Sequence, residues 1–188
     1  MRWPCGYSNG SKSQKTMRVI RFLIPAVICL FLVMTALSLL FPSHLRVARV
    51  VNVAASREKV LAAIGDLRAW TQWNEFVRST PLTNKTWSAP SDGKGAWMRS
   101  EELTVNETAA DSDGIQLDWA LKGGKRYPGG MAVAPSLYPD SLTVQWWFDL
   151  SFRWYPWEKL GVFVYDRKLG PAMEESLTGL KRYVENSR

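Results

Sequence analysis

Apolar side chains occupy every second position between Leu142 and Phe152. They are Leu142, Val144, Trp146, Phe148, Leu150 and Phe152, and the positions between them include Thr143, Gln145, Asp149 and Ser151. Successive side chains of a β-strand point to opposite faces of the sheet, so this segment predicts a strand with one buried and one wet face. Such strands are typical of antiparallel sheets, and the fold must therefore cover one face of a sheet.

Other segments predict further strands of the same sheet. Apolar residues alternate with polar ones from Ile115 to Leu121, and residues 44–53 (HLRVARVVNV) are rich in β-branched side chains. The pair Gly123-Gly124 suits a tight hairpin turn after the first of these segments. Weaker patterns predict strands near residues 82–87, 96–105 and 130–134.

A short helix is predicted after the first strand. Ser56 can cap its N-terminus, the helix should end near Gly65, and Val60, Leu61 and Ile64 form an apolar stripe along it.

Aromatic and aliphatic spacings predict two more helices. Trp70, Trp73 and Phe76 are three residues apart, which places them on one face of a single short helix. The last twenty residues carry an apolar stripe suited to one long helix lying on the sheet: Leu169, Met173, Leu177, Leu180 and Val184.

The chain has 188 residues, of which 46% are hydrophobic, and this is enough for one substantial core. Its formal charge is +7, with 24 Lys and Arg against 17 Asp and Glu. Seven of the basic residues and none of the acidic ones lie within residues 1–49, so the remaining 17 cations face 17 anions. The domain that follows is therefore neutral, which argues against nucleic acid as a partner.

The segment from Phe22 to Phe41 contains no charged residue. As a helix it would span roughly 30 Å, which matches the hydrocarbon core of a bilayer. A cleaved signal peptide is the alternative, but the sequence after the apolar segment lacks a small-residue cleavage site. We therefore expect a transmembrane anchor over residues 17–42, with the membrane partner contacted by residues 22–41.

Basic residues before this segment suggest its orientation. Five precede it, which favours a single-pass protein with a cytoplasmic N-terminus. Residues 43–188 would then lie outside the cytoplasm, in the periplasm if the host is bacterial. The two cysteines, Cys5 and Cys29, lie in the tail and the apolar segment, so no disulfide or thiolate metal site is expected in the domain.

The first sixteen residues are polar, rich in Gly and Ser, and without periodicity. They predict a disordered tail. Because Met17 opens an ordinary membrane-anchor sequence by itself, translation starting at Met17 is a second hypothesis.

Both ends of the domain resemble one superfamily. The segment VARVVNVAASREKVLAAIGDLRAWTQWNEF resembles the opening of the START-like, helix-grip superfamily, also called SRPBCC or polyketide cyclase/dehydrase-like. The segment PWEKLGVFVYDRKLGPAMEESLTGLKRYVE is similar to its closing strand-to-helix corner and last helix. The resemblance covers about residues 45–186, with the middle strands matched only by pattern.

This resemblance implies an α+β helix-grip fold, in which a curved antiparallel sheet wraps around the C-terminal helix and leaves an apolar cavity between them. Members bind lipids, sterols or other hydrophobic molecules, and some cyclise polyketides. Because one fold supports many activities, the resemblance alone does not fix the chemistry.

The sequence offers few catalytic groups. Its only histidine, His44, lies next to the predicted anchor, so no catalytic triad and no histidine metal cluster is available. We predict no catalytic residue, no metal and no cofactor.

Three polar residues are candidates for the cavity, namely Arg49, Arg99 and Glu101. Odd-numbered positions of these segments carry apolar residues such as Trp97 and Leu103, so the three would face inward with them. A position at the rim or an internal ion pair is the alternative for each.

Bulky side chains on the predicted buried faces either fill a core or form the wall of a pocket. The predicted cavity wall consists of Trp73, Trp97, Trp119, Met131, Trp146, Phe148, Leu169 and Met173. We therefore expect a membrane-anchored domain that binds a hydrophobic small molecule or lipid. A cyclase- or aromatase-type enzyme and a ligand-free scaffold of the cell envelope are the alternatives, and the sequence identifies no protein partner.

The aromatic stretch FRWYPWEKLG, residues 152–161, should form the corner before the last helix. Packing in the core, a lip of the pocket and contact with a membrane are its three possible roles.

Overall fold

The computed structural model describes residues 10–39, 43–79, 84–152 and 162–186. The chain divides into two compact units, one containing the first helix and the other beginning at His44. Most of the predicted corner at residues 152–161 lies outside the described residues.

The first helix, α1, runs from Gly10 to Leu39. Residues 10–16, expected in a disordered tail, lie within this helix. Pro25 lies inside this helix rather than in its first turn. Among the described residues, no helix combines the length and the apolarity needed to cross a membrane. The predicted transmembrane anchor is thus not confirmed, and its last residues, 40–42, lie outside the described part of the chain.

Seven strands of the described residues form one antiparallel sheet in the order β1-β7-β6-β5-β4-β3-β2. The strands are β1 (His44–Val53), β2 (Thr86–Trp87), β3 (Trp97–Arg99), β4 (Leu103–Asp111), β5 (Gly114–Leu121), β6 (Arg126–Pro135) and β7 (Leu142–Ser151). The strands predicted from strong alternation are confirmed, and on β7 the residues Val144, Trp146, Phe148 and Leu150 are buried.

The predicted strand over residues 96–105 is in fact two strands joined by a turn. The N–H of Ser100 donates to the carbonyl of Leu103 (2.8 Å), and the N–H of Leu103 donates to Oγ of Ser100 (3.1 Å). Glu101 and Glu102 lie in this turn and not on a strand. The four consecutive polar residues at 99–102 (RSEE) already interrupt the alternation, and the prediction of one continuous strand overlooked them.

Within the described ranges, four helices follow α1, namely α2 (Arg57–Gly65), α3 (Trp70–Trp73), α4 (Glu75–Ser79) and α5 (Val162–Asn186). Ser56 stands at the N-cap of α2, but its side chain makes no capping hydrogen bond. The single helix predicted for residues 70–76 is broken at Asn74, whose ψ of 114° is that of extended backbone.

Helix α5 packs against β1 and against α2, α3 and α4. Its predicted apolar stripe is confirmed, since Met173, Leu177, Leu180 and Val184 are all buried. The described domain thus has an α+β architecture in which an antiparallel sheet is combined with a long C-terminal helix, as the helix-grip expectation requires.

Gly179 allows α5 to approach α3 closely. A Cβ atom at this position would lie 2.5 Å from the backbone carbonyl oxygen of Trp73. No real Cβ sits so close to an oxygen, so any side chain here forces the two helices apart.

We expect Gly179→Ala to lower the free energy of unfolding by about 1–3 kcal/mol, because the clash outweighs the gain in helix propensity. Thr178→Ala, at an exposed neighbouring position, should change it by less than about 0.5 kcal/mol. Urea unfolding of both variants checks this, and equal midpoints would contradict the close approach.

Candidate functional site

The inward faces of β5 and β7 meet the short helices in an aromatic cluster, formed by Trp70, Phe76, Trp119, Trp146 and Phe148. The ring centroid of Trp119 lies 5.6 Å from that of Trp70 and 5.4 Å from that of Phe148. Phe76 stands in the middle, 5.5 Å from Trp146 and 6.0 Å from Phe148. Such separations allow tilted and edge-to-face contacts, which stabilise aromatic pairs.

The two tryptophans of α3 have a structural role. Nε1 of Trp70 donates to the carbonyl oxygen of Ile64 (2.8 Å), and Nε1 of Trp73 donates to that of Ala63 (3.3 Å). These carbonyls belong to the last turn of α2, where no intrahelical donor remains. The spacing of Trp70 and Trp73 therefore ties α3 to the end of α2.

The tryptophans of the sheet differ in this respect. Nε1 of Trp119 and Nε1 of Trp146 are buried and have no hydrogen-bond partner among the described residues. The side-chain amide of Asn74, between α3 and α4, is buried and unpartnered on both its nitrogen and its oxygen. An unsatisfied buried polar group costs about 1–3 kcal/mol, so three such groups near one aromatic cluster call for an explanation.

Most of the predicted cavity wall is buried, but not all of it faces the same space. Met131 and Met173 are fully buried and Leu169 is half-buried against the core. Trp97 is the exception, because it lies on the opposite face of β3 from the buried Met98. The guanidinium of Arg99 lies 4.4 Å from the ring centroid of Trp97. The turn at residues 100–102 changes which positions of the strands point inward, and this made the prediction for Trp97 wrong.

The three polar candidates do not come together in one cavity. Arg49 faces inward as predicted, but its Nε and one terminal nitrogen bond to Glu174 (2.7 Å) and Asp166 (2.9 Å) of α5. Arg99 is exposed on the outer face, and Glu101 is exposed in the turn. Of the three, Arg49 alone lies on the inner face, and there it is an ion-pairing residue that joins β1 to α5.

Glu107 is a buried side chain that was not among the predicted site residues. The predicted strand stopped at Val105, yet the alternation of Leu103 and Val105 continues to Glu107, which is 1% exposed on the inward face of β4. A bulge follows it, because Glu107 pairs with Leu117 but Ala109 already pairs with Gln116. Extending the alternation by two residues would have identified this side chain.

Neither carboxylate oxygen of Glu107 has a hydrogen-bond partner of ordinary geometry in the described residues. Burial, together with the smaller effect of the negative charge of Asp92, raises the pKa of Glu107 to about 7. The nearby backbone N–H of Gly93 opposes this effect without reversing it. Glu107 is therefore poised to gain or lose a proton near neutral pH.

A pocket of about 630 Å³ lies beside Glu107. It is bounded by α2, by the loop at residues 91–93, by the ends of β4 and β5, and by Tyr183 of α5. Among the described residues, no three side chains of His, Cys, Asp or Glu are arranged to hold a metal ion.

The architecture and the aromatic interior are those of a helix-grip protein. A match to a family model then identifies the family within this class of fold. The model of the family "Polyketide cyclase / dehydrase and lipid transport" matches residues 44–185, so the chain belongs to that family. No curated protein matches the chain.

Solved structures share the fold at low sequence identity. DynU16, a protein of the dynemicin biosynthetic locus, is 18% identical with a TM-score of 0.54 over 75% of this chain, which spans only 47% of that protein. Norcoclaurine synthase from Thalictrum flavum is 13% identical with a TM-score of 0.53, covering 77% of this chain and 96% of that one. A START superfamily protein from Mycobacterium smegmatis is 20% identical with a TM-score of 0.50, covering 74% and 97%. These likenesses concern the fold alone.

The raised pKa of Glu107 predicts that the domain loses stability as the pH increases. In the folded state the Glu107 carboxyl stays protonated up to about pH 7. In the unfolded state it loses its proton near the ordinary pKa of 4.5. Stability is thus fully present below about pH 4.5 and is lost as the pH rises through about 7. We expect a fall of about 2–3 kcal/mol in the free energy of unfolding from this group.

Denaturant unfolding from about pH 5 to about pH 8 measures this fall. Glu107→Gln should remove most of it, while Glu175→Gln, at an exposed position of α5, should keep it. The same pH profile in both variants would show that Glu107 titrates normally.

Proposed function

We propose that the domain binds an apolar molecule carrying a hydrogen-bond acceptor, in the space between the sheet and α5. The proposal rests on the unpartnered indole N–H groups of Trp119 and Trp146 inside an aromatic interior. A carbonyl, ether or hydroxyl oxygen of a ligand would satisfy these donors, while its apolar body would contact the surrounding rings. Asn74 would supply both a donor and an acceptor nearby.

The ring of Phe76 occupies the centre of the aromatic cluster, so a ligand of appreciable size would have to displace it. This ring belongs to α4, a helix of five residues. The N–H of Glu75 at the start of α4 donates to Oγ of Ser176 on α5 (2.8 Å). A shift of so short a helix would open the interior without breaking a strand pairing.

Membership of the family supports this proposal, because the family description includes both polyketide cyclases or dehydrases and lipid transport. A hydrophobic small molecule or a lipid is therefore the proposed ligand class. The candidates Met131, Met173 and Phe148 would form the apolar wall. The alternatives are a ligand-free scaffold, for which the aromatic cluster is simply a filled core, and a cyclase-type enzyme, which would also turn over the bound molecule.

We expect the purified chain to carry an apolar molecule that organic extraction and native mass spectrometry identify. Trp119→Phe and Trp146→Phe remove one N–H donor each and should weaken its binding about three- to tenfold. Trp97→Phe is the matched control, because Trp97 lies on the outer face of the sheet. This variant should bind the apolar molecule as tightly as the unaltered chain does. An empty chain, together with three variants that do not differ in uptake of added lipid, would favour the scaffold.

We further propose that residues 22–41 attach the domain to a membrane as a single-pass segment, with the N-terminus in the cytoplasm and the domain outside it. Exposed apolar side chains on α1 support the attachment, including Phe22, Ile24, Val27, Leu30 and Phe31. Such a surface has no favourable contact with water, and a bilayer would cover it on all sides.

Alkaline carbonate extraction of membranes should leave the full chain in the membrane pellet. Placing a lysine at Leu30 should release part of it, because a charge in the centre of a bilayer is costly. Lysine at the exposed Leu137 of the domain is the control. Phosphatase and fluorescent-protein fusions at the C-terminus then report the orientation, and strong fluorescence without phosphatase activity would contradict the proposed one.

A further inference from the structure

The pocket beside Glu107 is distinct from the aromatic cluster. Its wall contains none of the five aromatic residues of that cluster. Its chemistry also differs, because its wall carries several carboxyl groups whereas the cluster consists of aromatic rings. A ligand of the aromatic interior would therefore not need this pocket.

Glu107 gives the pocket an unusual wall. The residue is 1% exposed, and neither of its oxygens accepts a hydrogen bond of ordinary geometry within the described residues. A buried carboxylate without a well-placed donor is costly in the charged form, and a donor that arrives from outside is the simplest explanation for its presence.

The other charged groups around the pocket are mostly acidic. Asp66 follows α2, Asp92 lies in the loop, and Asp111 ends β4, while Lys59 of α2 and Tyr183 of α5 complete the titratable lining. With Glu107, the pocket thus carries four carboxyl groups against one ammonium group.

Hydrogen bonds hold two of these carboxylates in place. Oδ1 of Asp66 accepts from the N–H of Arg68 (2.9 Å) and from Oγ of Ser91 (2.8 Å). Oδ1 of Asp111 accepts from the N–H of Asp113 (2.8 Å) and of Gly114 (2.9 Å). The negative charge at the rim is therefore pre-organised, and a cation entering the pocket would not have to order it.

We propose that this pocket binds a small organic cation whose ammonium or amidinium group donates hydrogen bonds to Glu107. A compact metal ion fits less well, since the described residues do not bring three such ligands together. An organic cation needs one buried acceptor, a surrounding negative potential and an apolar surface for its carbon skeleton. Ala62, Ala63 and Ile115 supply that surface.

The site predicts a characteristic coupling between binding and protonation. Because the pKa of the free Glu107 carboxyl is about 7, a cation must displace the proton when it binds below that pH. Affinity should then fall by up to about tenfold for each pH unit below about 7 and level off above it. Binding at low pH should also release up to one proton.

Isothermal titration of the full chain with 2-phenylethylamine, at about pH 6 and pH 8, tests these expectations. Repeating the titration in buffers of different ionisation enthalpy measures the released proton. The neutral isostere 2-phenylethanol serves as the ligand control. We expect saturable binding of the amine alone, tighter at the higher pH, with proton release at the lower one.

Glu107→Gln should weaken binding of 2-phenylethylamine by about tenfold or more at pH 8 and abolish both the pH dependence and the proton release. Glu175→Gln, at the exposed α5 position, should bind as the unaltered chain does. The pH profile of the unaltered chain tests the inference even if the glutamine variant does not fold.

Failure to bind the amine, equal binding of amine and alcohol, an affinity independent of pH, or undiminished binding by folded Glu107→Gln would each overturn the inference. None of these outcomes depends on whether the aromatic interior holds an apolar ligand, so the two proposals fail separately.

Discussion

The antiparallel pairing of β1 with β7 joins the start of the domain to the strand that precedes α5, and the rest of the architecture depends on it. The register runs from His44 opposite Ser151 to Val53 opposite Leu142. It places the inward residue Arg49 beside Trp146, so that α5 can cover both strands and pair its carboxylates with Arg49. A slip of one residue would turn every inward side chain of β1 to the solvent.

The hydrogen bonds of buried polar groups distinguish the purely structural parts of the interior from a possible binding region. Trp70 and Trp73 use their indole N–H groups to complete the last turn of α2, and they gain both burial and hydrogen bonds. Trp119 and Trp146 are equally buried but lack these bonds within the described residues. The difference singles out the sheet side of the aromatic cluster, because an unsatisfied donor stores a cost that a ligand can recover.

Glu107 is also a buried polar group without a well-placed partner, but it carries a charge when ionised. Burial and the neighbouring Asp92 make its ionised form unfavourable, which brings its pKa to about 7. The residue stands next to a bulge, where the strand bends and the pairing shifts by one residue. The indole N–H groups of Trp119 and Trp146 and the carboxyl group of Glu107 thus lie on different parts of the same sheet, the former among aromatic rings and the latter beside carboxylates.

The sequence by itself determined the regular parts of this protein. Alternation on β5 and β7, the β-branched first strand and the apolar stripe of α5 report burial directly, because their periods of two and about 3.6 are fixed by backbone geometry. Only the tertiary structure decided the break at Asn74, the turn that moved Trp97 to the outer face, and the isolation of Glu107. The break at Asn74 and the isolation of Glu107 depend on distant residues, such as Ser176, whose Oγ accepts from the N–H of Glu75, and local periodicity carries no information about such neighbours. The turn after β3 is local, and only the polar residues at 99–102 mark it in the sequence.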